Sequence, residues 1–354
     1  MAAPSDKKSK PEASNPAADE KATCTFEDAG RCFKDTNLLI LGSSTSRHWF
    51  FVLQDVLTHN ETRTTGSRSD FVSVLSPRRR YATGYREHEK SACGGGKLAW
   101  SEVDQIDASM KVQFGSRCST LIQRTHTLLT FVWVIPFREG VHGSGVLHNA
   151  GSVLVRDSEA NNMTVSRVLV NGGLELAINF EDARLWRGRS KPSWQAIVNS
   201  TLPNITRPWK PVFEARTGES PIGTKSSGAL NLSTSNSVTW RTATRVCCEK
   251  PRRPVPTNAS CVNRNGVDMG PVRSRLRAVN EEAVKQIAAR ESRITVLDAW
   301  NITGYDTCPA YEDWVHHPSL AFLHLESWMR DVLGCSCTGA PRTNKAPWNV
   351  GPVT

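Results

Sequence analysis

Apolar residues in this chain fall into short blocks, and their period changes from block to block. Residues 37–41, ending in Leu38, Leu39, Ile40 and Leu41, form a continuous apolar run that stops at Gly42. That is the pattern of a strand buried on both faces. From 46 to 57 the apolar residues return at helical spacing, with Trp49, Phe50, Leu53, Val56 and Leu57 on one side. This predicts an amphipathic helix. Further strands are predicted over 128–135, closed by Pro136, over 165–170, followed by Asn171-Gly172-Gly173, over 237–246, where apolar and polar residues alternate, and over 293–297. A helix is predicted over 273–290, where Leu276, Val279, Ala283 and Ile287 share a face, and another over 320–333. The stretches 60–100, 181–235 and 249–272 are rich in turn formers and read as loops, with one helical turn at 194–198. Strands alternating with helices predict an α/β fold, a three-layer α/β/α sandwich around a mainly parallel sheet. In such sheets functional residues gather where the strands' C-terminal ends meet loops.

The remaining segments are tails. Residues 1–22 are polar and rich in Lys, Ala, Pro and Glu, and are expected to be disordered. The folded domain is expected to span 23–338, leaving 339–354 as a second tail. Net charge is +10, from 44 basic and 34 acidic residues, but the basic residues are spread out. Only Arg78-Arg79-Arg80 and Arg252-Arg253 cluster, both beside proline and neither interleaved with aromatics, so no nucleic-acid partner is expected.

Cysteines and sequons change the picture more. The chain has 10 cysteines, without zinc-finger spacing, and Cys335-Ser336-Cys337 is too short for a CxxC redox motif. Sequons of the form N-x-S/T occur at Asn60, Asn162, Asn199, Asn204, Asn231, Asn258 and Asn301; roughly three would arise by chance at ordinary usage. Together they point to a glycoprotein with disulfide bonds, in the Golgi lumen or secreted. The N-terminal residues offer no apolar stretch for a signal peptide.

Two segments carry candidate chemistry. Gly42-Ser43-Ser44 follows a buried strand and opens a helix. A serine there is exposed to a substrate, and the helix N-terminus supplies free N–H groups for an oxyanion. The same residues also suit ordinary helix capping. The second segment is Tyr311-Glu312-Asp313-Trp314-Val315-His316-His317. An activated serine needs a base, and that base needs an orienting carboxylate; Asp313 and His316 are spaced to serve as such a pair. A metal site of Asp313, His316 and His317 is disfavoured, because adjacent side chains of an extended loop point apart.

Taken in order, these motifs resemble the SGNH hydrolases, and within them the PC-esterase branch, which includes plant polysaccharide O-acetyltransferases and sialate O-acetyltransferase luminal domains. Gly42, Ser44 and Arg47 match the branch's Gly-Asp-Ser-x-x-Arg block, and Asp313 and His316 its Asp-x-x-His block. Between them, Phe131-Val132-Trp133-Val134-Ile135-Pro136-Phe137, the strand ending Asn171-Gly172-Gly173, Trp240-Arg241-Thr242 and the segment 296–301 match intermediate blocks. The resemblance departs at Ser43, where the family carries aspartate.

The resemblance implies an SGNH-like fold and serine-dependent acyl transfer. Ser44 is the nucleophile, His316 the base and Asp313 its orienter. The oxyanion is met by the Ser44 N–H with the Asn171 side chain or the Gly173 N–H. Arg47 either clamps the turn or contacts an anionic substrate. The acceptor is water, for an O-acetyl esterase, or a sugar hydroxyl, for an O-acetyltransferase, with a membrane-bound system as a possible source of acetyl groups. No cofactor or metal is implied. The substitution at Ser43 keeps a second reading open, an inactive relative that binds glycans or serves as a scaffold.

Overall fold

The computed structural model describes residues 24, 26–58, 117–133, 150–181, 190–215, 236–246, 269–290, 293–303 and 320–334. A short helix α1 (Phe26–Cys32) leads into β1 (Thr36–Gly42) and α2 (Ser44–Thr58). Then come β2 (Arg117–Ile122), β3 (Thr127–Trp133), α3 (Ala150–Ala160), β4 (Val165–Asn171) and α4 (Leu174–Asn179). α5 (Trp194–Thr206), a 3-10 turn (Arg207–Trp209) and α6 (Lys210–Glu214) precede β5 (Ser237–Arg241). The order closes with α7 (Gly270–Arg290), β6 (Ile294–Leu297), α8 (Ala299–Ile302), α9 (Leu320–Ser327) and a π-helical continuation (Trp328–Leu333).

The strands form one six-stranded sheet in the order β2-β3-β1-β4-β5-β6. All neighbours pair in parallel except β2, which runs antiparallel to β3 at the edge. β1 and β4 lie in the middle, and every residue of both is buried. That is why they read as unbroken apolar runs rather than as alternating ones.

Successive side chains of a strand face opposite ways, and the two faces carry separate cores. Leu38, Ile40, Leu129, Phe131, Leu169 and Leu297 pack under α1, α2 and α9 with its π extension. Leu39, Leu41, Val168, Val170, Val238 and Trp240 pack under α3, α5, α6 and α7. The expected three-layer α/β/α architecture is therefore present, and α7 buries the predicted Leu276, Val279, Ala283 and Ile287. Among the described residues, no helix is long and apolar enough to cross a membrane.

Several elements differ from expectation. β5 stops at Arg241 rather than running to 246, because after one last bond to β6 the backbone groups of Ala243 are taken by a side chain of α7. Thr242 N donates to Leu297 O at 3.0 Å, and Asn280 bridges Ala243 through both its N–H and its C=O at 2.9 and 3.0 Å. The helical turn expected at 194–198 is a 13-residue helix. Trp300 is buried in the short helix α8, which Asp298 caps just after β6 ends. Residues 134–135 of the second predicted strand, the loop at 60–100 and residues 249–268 of the loop predicted over 249–272 lie outside the described residues.

Candidate functional site

The strand order marks a candidate position before any side chain is considered. The chain leaves β1 for β3 on one side and later crosses to β4 on the other, so order reverses at β1. A crevice opens at such a switch point, outside the carboxyl ends of the strands. There the ladders set Trp133 beside Gly42, Leu41 beside Val170, Asn171 beside Arg241 and Arg241 beside Leu297. Gly42, Asn171, Arg241 and Leu297 therefore form one row across the sheet. The residues just beyond it are Ser43, Gly172, Thr242 and Asp298.

The β1 limb depends on a glycine. Gly42 has φ 156°, and a Cβ there would lie 2.2 Å from Ser46 Oγ and 3.2 Å from Asn171 O. Only a residue without a side chain lets the strand turn this sharply into α2 while touching the end of β4. Ser43 is the capping residue: its carbonyl accepts from Ser46 N at 2.9 Å and Arg47 N at 3.1 Å. Ser43 is 5% exposed, yet its hydroxyl makes no hydrogen bond. It thus omits the side-chain cap a serine usually supplies here. Ser44 is the first residue of the 15-residue α2, so its N–H belongs to the first turn, which lacks intrahelical acceptors.

The β4 limb ends in Asn171, Gly172 and Gly173, all buried. Asn171 is 2% exposed and its Nδ2 donates to Arg241 O at 2.9 Å; a primary amide keeps a second hydrogen beyond that bond. Gly173 sits in the left-handed region at φ 94° and precedes α4, its carbonyl accepting from Ala177 N. A side chain there costs about 1 kcal/mol.

A third component, Arg241, enters the expectations only as a letter in a short motif. It has no exposed surface. Its Nη2 donates to Thr45 Oγ1 at 3.0 Å and Ser46 Oγ at 3.3 Å, and its guanidinium carbon lies 5.3 Å from the Trp49 ring centroid. Sequence signals could not reveal these bonds, which join residues almost 200 positions apart. Arg47, expected either to clamp the turn or to contact an anionic substrate, is half-buried at the first turn of α2.

At the far end of the row, Asp298 caps α8 by accepting from Asn301 N at 3.2 Å. Burial pushes its carboxyl above the usual carboxylate range, against the bonds from Asn301 and Thr242 and the charge of Arg245. Among the described residues, no three of His, Cys, Asp or Glu converge to hold a metal ion. The structure thus brings Ser44, Asn171 and Gly173 to one edge of the sheet, while Asp313, His316 and His317 lie outside the described residues.

No family model matches the chain, and no curated protein matches it. Among solved structures the chain is similar to a mutant of Axe2, an acetyl-xylooligosaccharide esterase from Geobacillus Stearmophilus. The identity is 12% over 83% of this chain and 92% of that one, with a TM-score of 0.32. The α/β architecture itself stands on the sheet and helices described above.

Proposed function

We propose that this chain is a serine-dependent acyl-transfer enzyme of the PC-esterase type, an O-acetyl esterase or O-acetyltransferase acting on a carbohydrate. One observation carries the reading: a buried strand passes through an obligatory glycine and delivers Ser44 to a long helix's N-terminus, at the sheet's switch point. Ser44 Oγ attacks the acetyl carbonyl while His316 takes its proton, and Asp313 holds the imidazole in the productive tautomer. The oxyanion meets the Ser44 N–H and the second Asn171 hydrogen or the Gly173 N–H. The sugar oxygen then leaves with the proton from His316, and water or a sugar hydroxyl takes the acetyl group from Ser44. Burial of Ser43 favours Ser44 over its neighbour as nucleophile.

The second reading, an inactive glycan-binding relative, draws on Ser43, where the family's aspartate is replaced by a hydroxyl that makes no bond. Sugar stacking gains little support: Trp49, Trp209, Trp240 and Trp328 are fully buried in the core. The proposed oxidising compartment is supported by Cys24 and Cys32, both disulfide-bonded; free-thiol titration of the native chain should find neither. Acetate release from acetylated oligosaccharides, compared between wild type and Ser44→Ala, tests the activity. Loss of release in the variant is the expected result; equal release from both would remove Ser44 from the mechanism.

A further inference from the structure

An arginine with no exposed surface is uncommon, because a buried cation needs every available partner. Arg241 ends β5, two strands away from β1, and faces the layer under α2. Its side chain reaches past β4 to the first turn of α2, where it grips Thr45 and Ser46, the two residues after Ser44. Its main chain faces the other limb, where its carbonyl accepts from the Asn171 amide. One residue therefore touches both halves of the row, the turn that carries Ser44 and the strand end that carries Asn171.

We propose that Arg241 is a positioning residue that fixes Ser44 against the end of β4. This rests on the acyl-transfer reading and deepens it. The bonds to Thr45 and Ser46 set the first turn of α2, and the bond from Asn171 aims the rest of that amide. The guanidinium is permanently charged and lies at the positive end of the helix. It adds to the potential that favours an anion at the turn, where negative charge develops during acyl transfer. An architectural role makes a different prediction. Arg241→Met would then lose stability with the bonds to Thr45 and Ser46, while the folded protein would react normally.

The test is fluorophosphonate labelling of the full chain, followed by intact mass over a range of probe concentrations, for wild type, Arg241→Met and Arg241→Lys. Thermal melts are run alongside. A displaced nucleophile loses roughly 100-fold in rate. Arg241→Met is therefore expected to fold, with its limiting labelling rate constant lowered by that factor and its half-saturating probe concentration unchanged. Arg241→Lys, which keeps the charge but has one donor head, recovers part of the rate. If the methionine variant does not fold, the lysine variant carries the test in the same direction. Folded variants labelling at the wild-type rate would overturn the inference and leave the acyl-transfer reading standing. An inert wild-type chain would overturn that reading, and this inference with it, before either variant is made.

Discussion

At the scale of single residues, the site is held by atoms that leave no room for alternatives. A methyl group on Gly42 would collide with Ser46 and press on the Asn171 carbonyl. Gly42→Ala is expected to lower stability by about 2–3 kcal/mol, measured by urea denaturation, because neither neighbour can retreat without breaking a strand end or a helix start. Asp298 gives a pH signature. Its carboxyl titrates above its unfolded value because partial burial desolvates the charged form. Between the two values the folded state holds the extra proton, so this group's contribution to stability rises as pH falls through the window. Asp298→Asn removes the titration while keeping a capping side chain. In melts across mildly acidic pH, the variant is expected to lose ground to wild type as pH falls; a constant gap would contradict the account.

Among the elements, legibility followed burial. β1 and β4 are buried on both faces, so their apolar runs could be read directly. α7 could be read from four apolar residues on one side. The edge strand β2 was not read, since its residues pair on one side only and include Ser119 and Thr120. Nor was α3, whose buried face pairs Ala150 and Leu154 with a serine, Ser158, satisfied by Leu154 O and Ser166. Polar groups with buried partners erase the periodic signal on which such predictions depend. The end of β5 is a related case, because it is set by Asn280, a residue of another element. Asn280→Ala would leave both polar groups of the Ala243 backbone unpaired, and is expected to cost about 2–4 kcal/mol by chemical denaturation. A loss under about 0.5 kcal/mol, the size of an ordinary surface change, would show that those groups find other partners.

For the molecule as a whole, topology does what no local pattern can. The two motifs at 42–44 and 171–173 are far apart in the chain and meet because β1 and β4 are neighbours at the reversal of strand order. Both were legible as glycine-marked strand ends. The arginine that bridges them was not, since its contacts exist only once β5 has docked against β4. The proposed mechanism puts its nucleophile at the turn after β1, and the account stands or falls on Ser44. The most direct measurement is fluorophosphonate labelling of the purified chain, read by intact mass beside Ser44→Ala and Ser43→Ala. One adduct on wild type and on Ser43→Ala, and none on Ser44→Ala, is the predicted result. An adduct that persists in Ser44→Ala, or a folded wild-type chain that never labels, would contradict it.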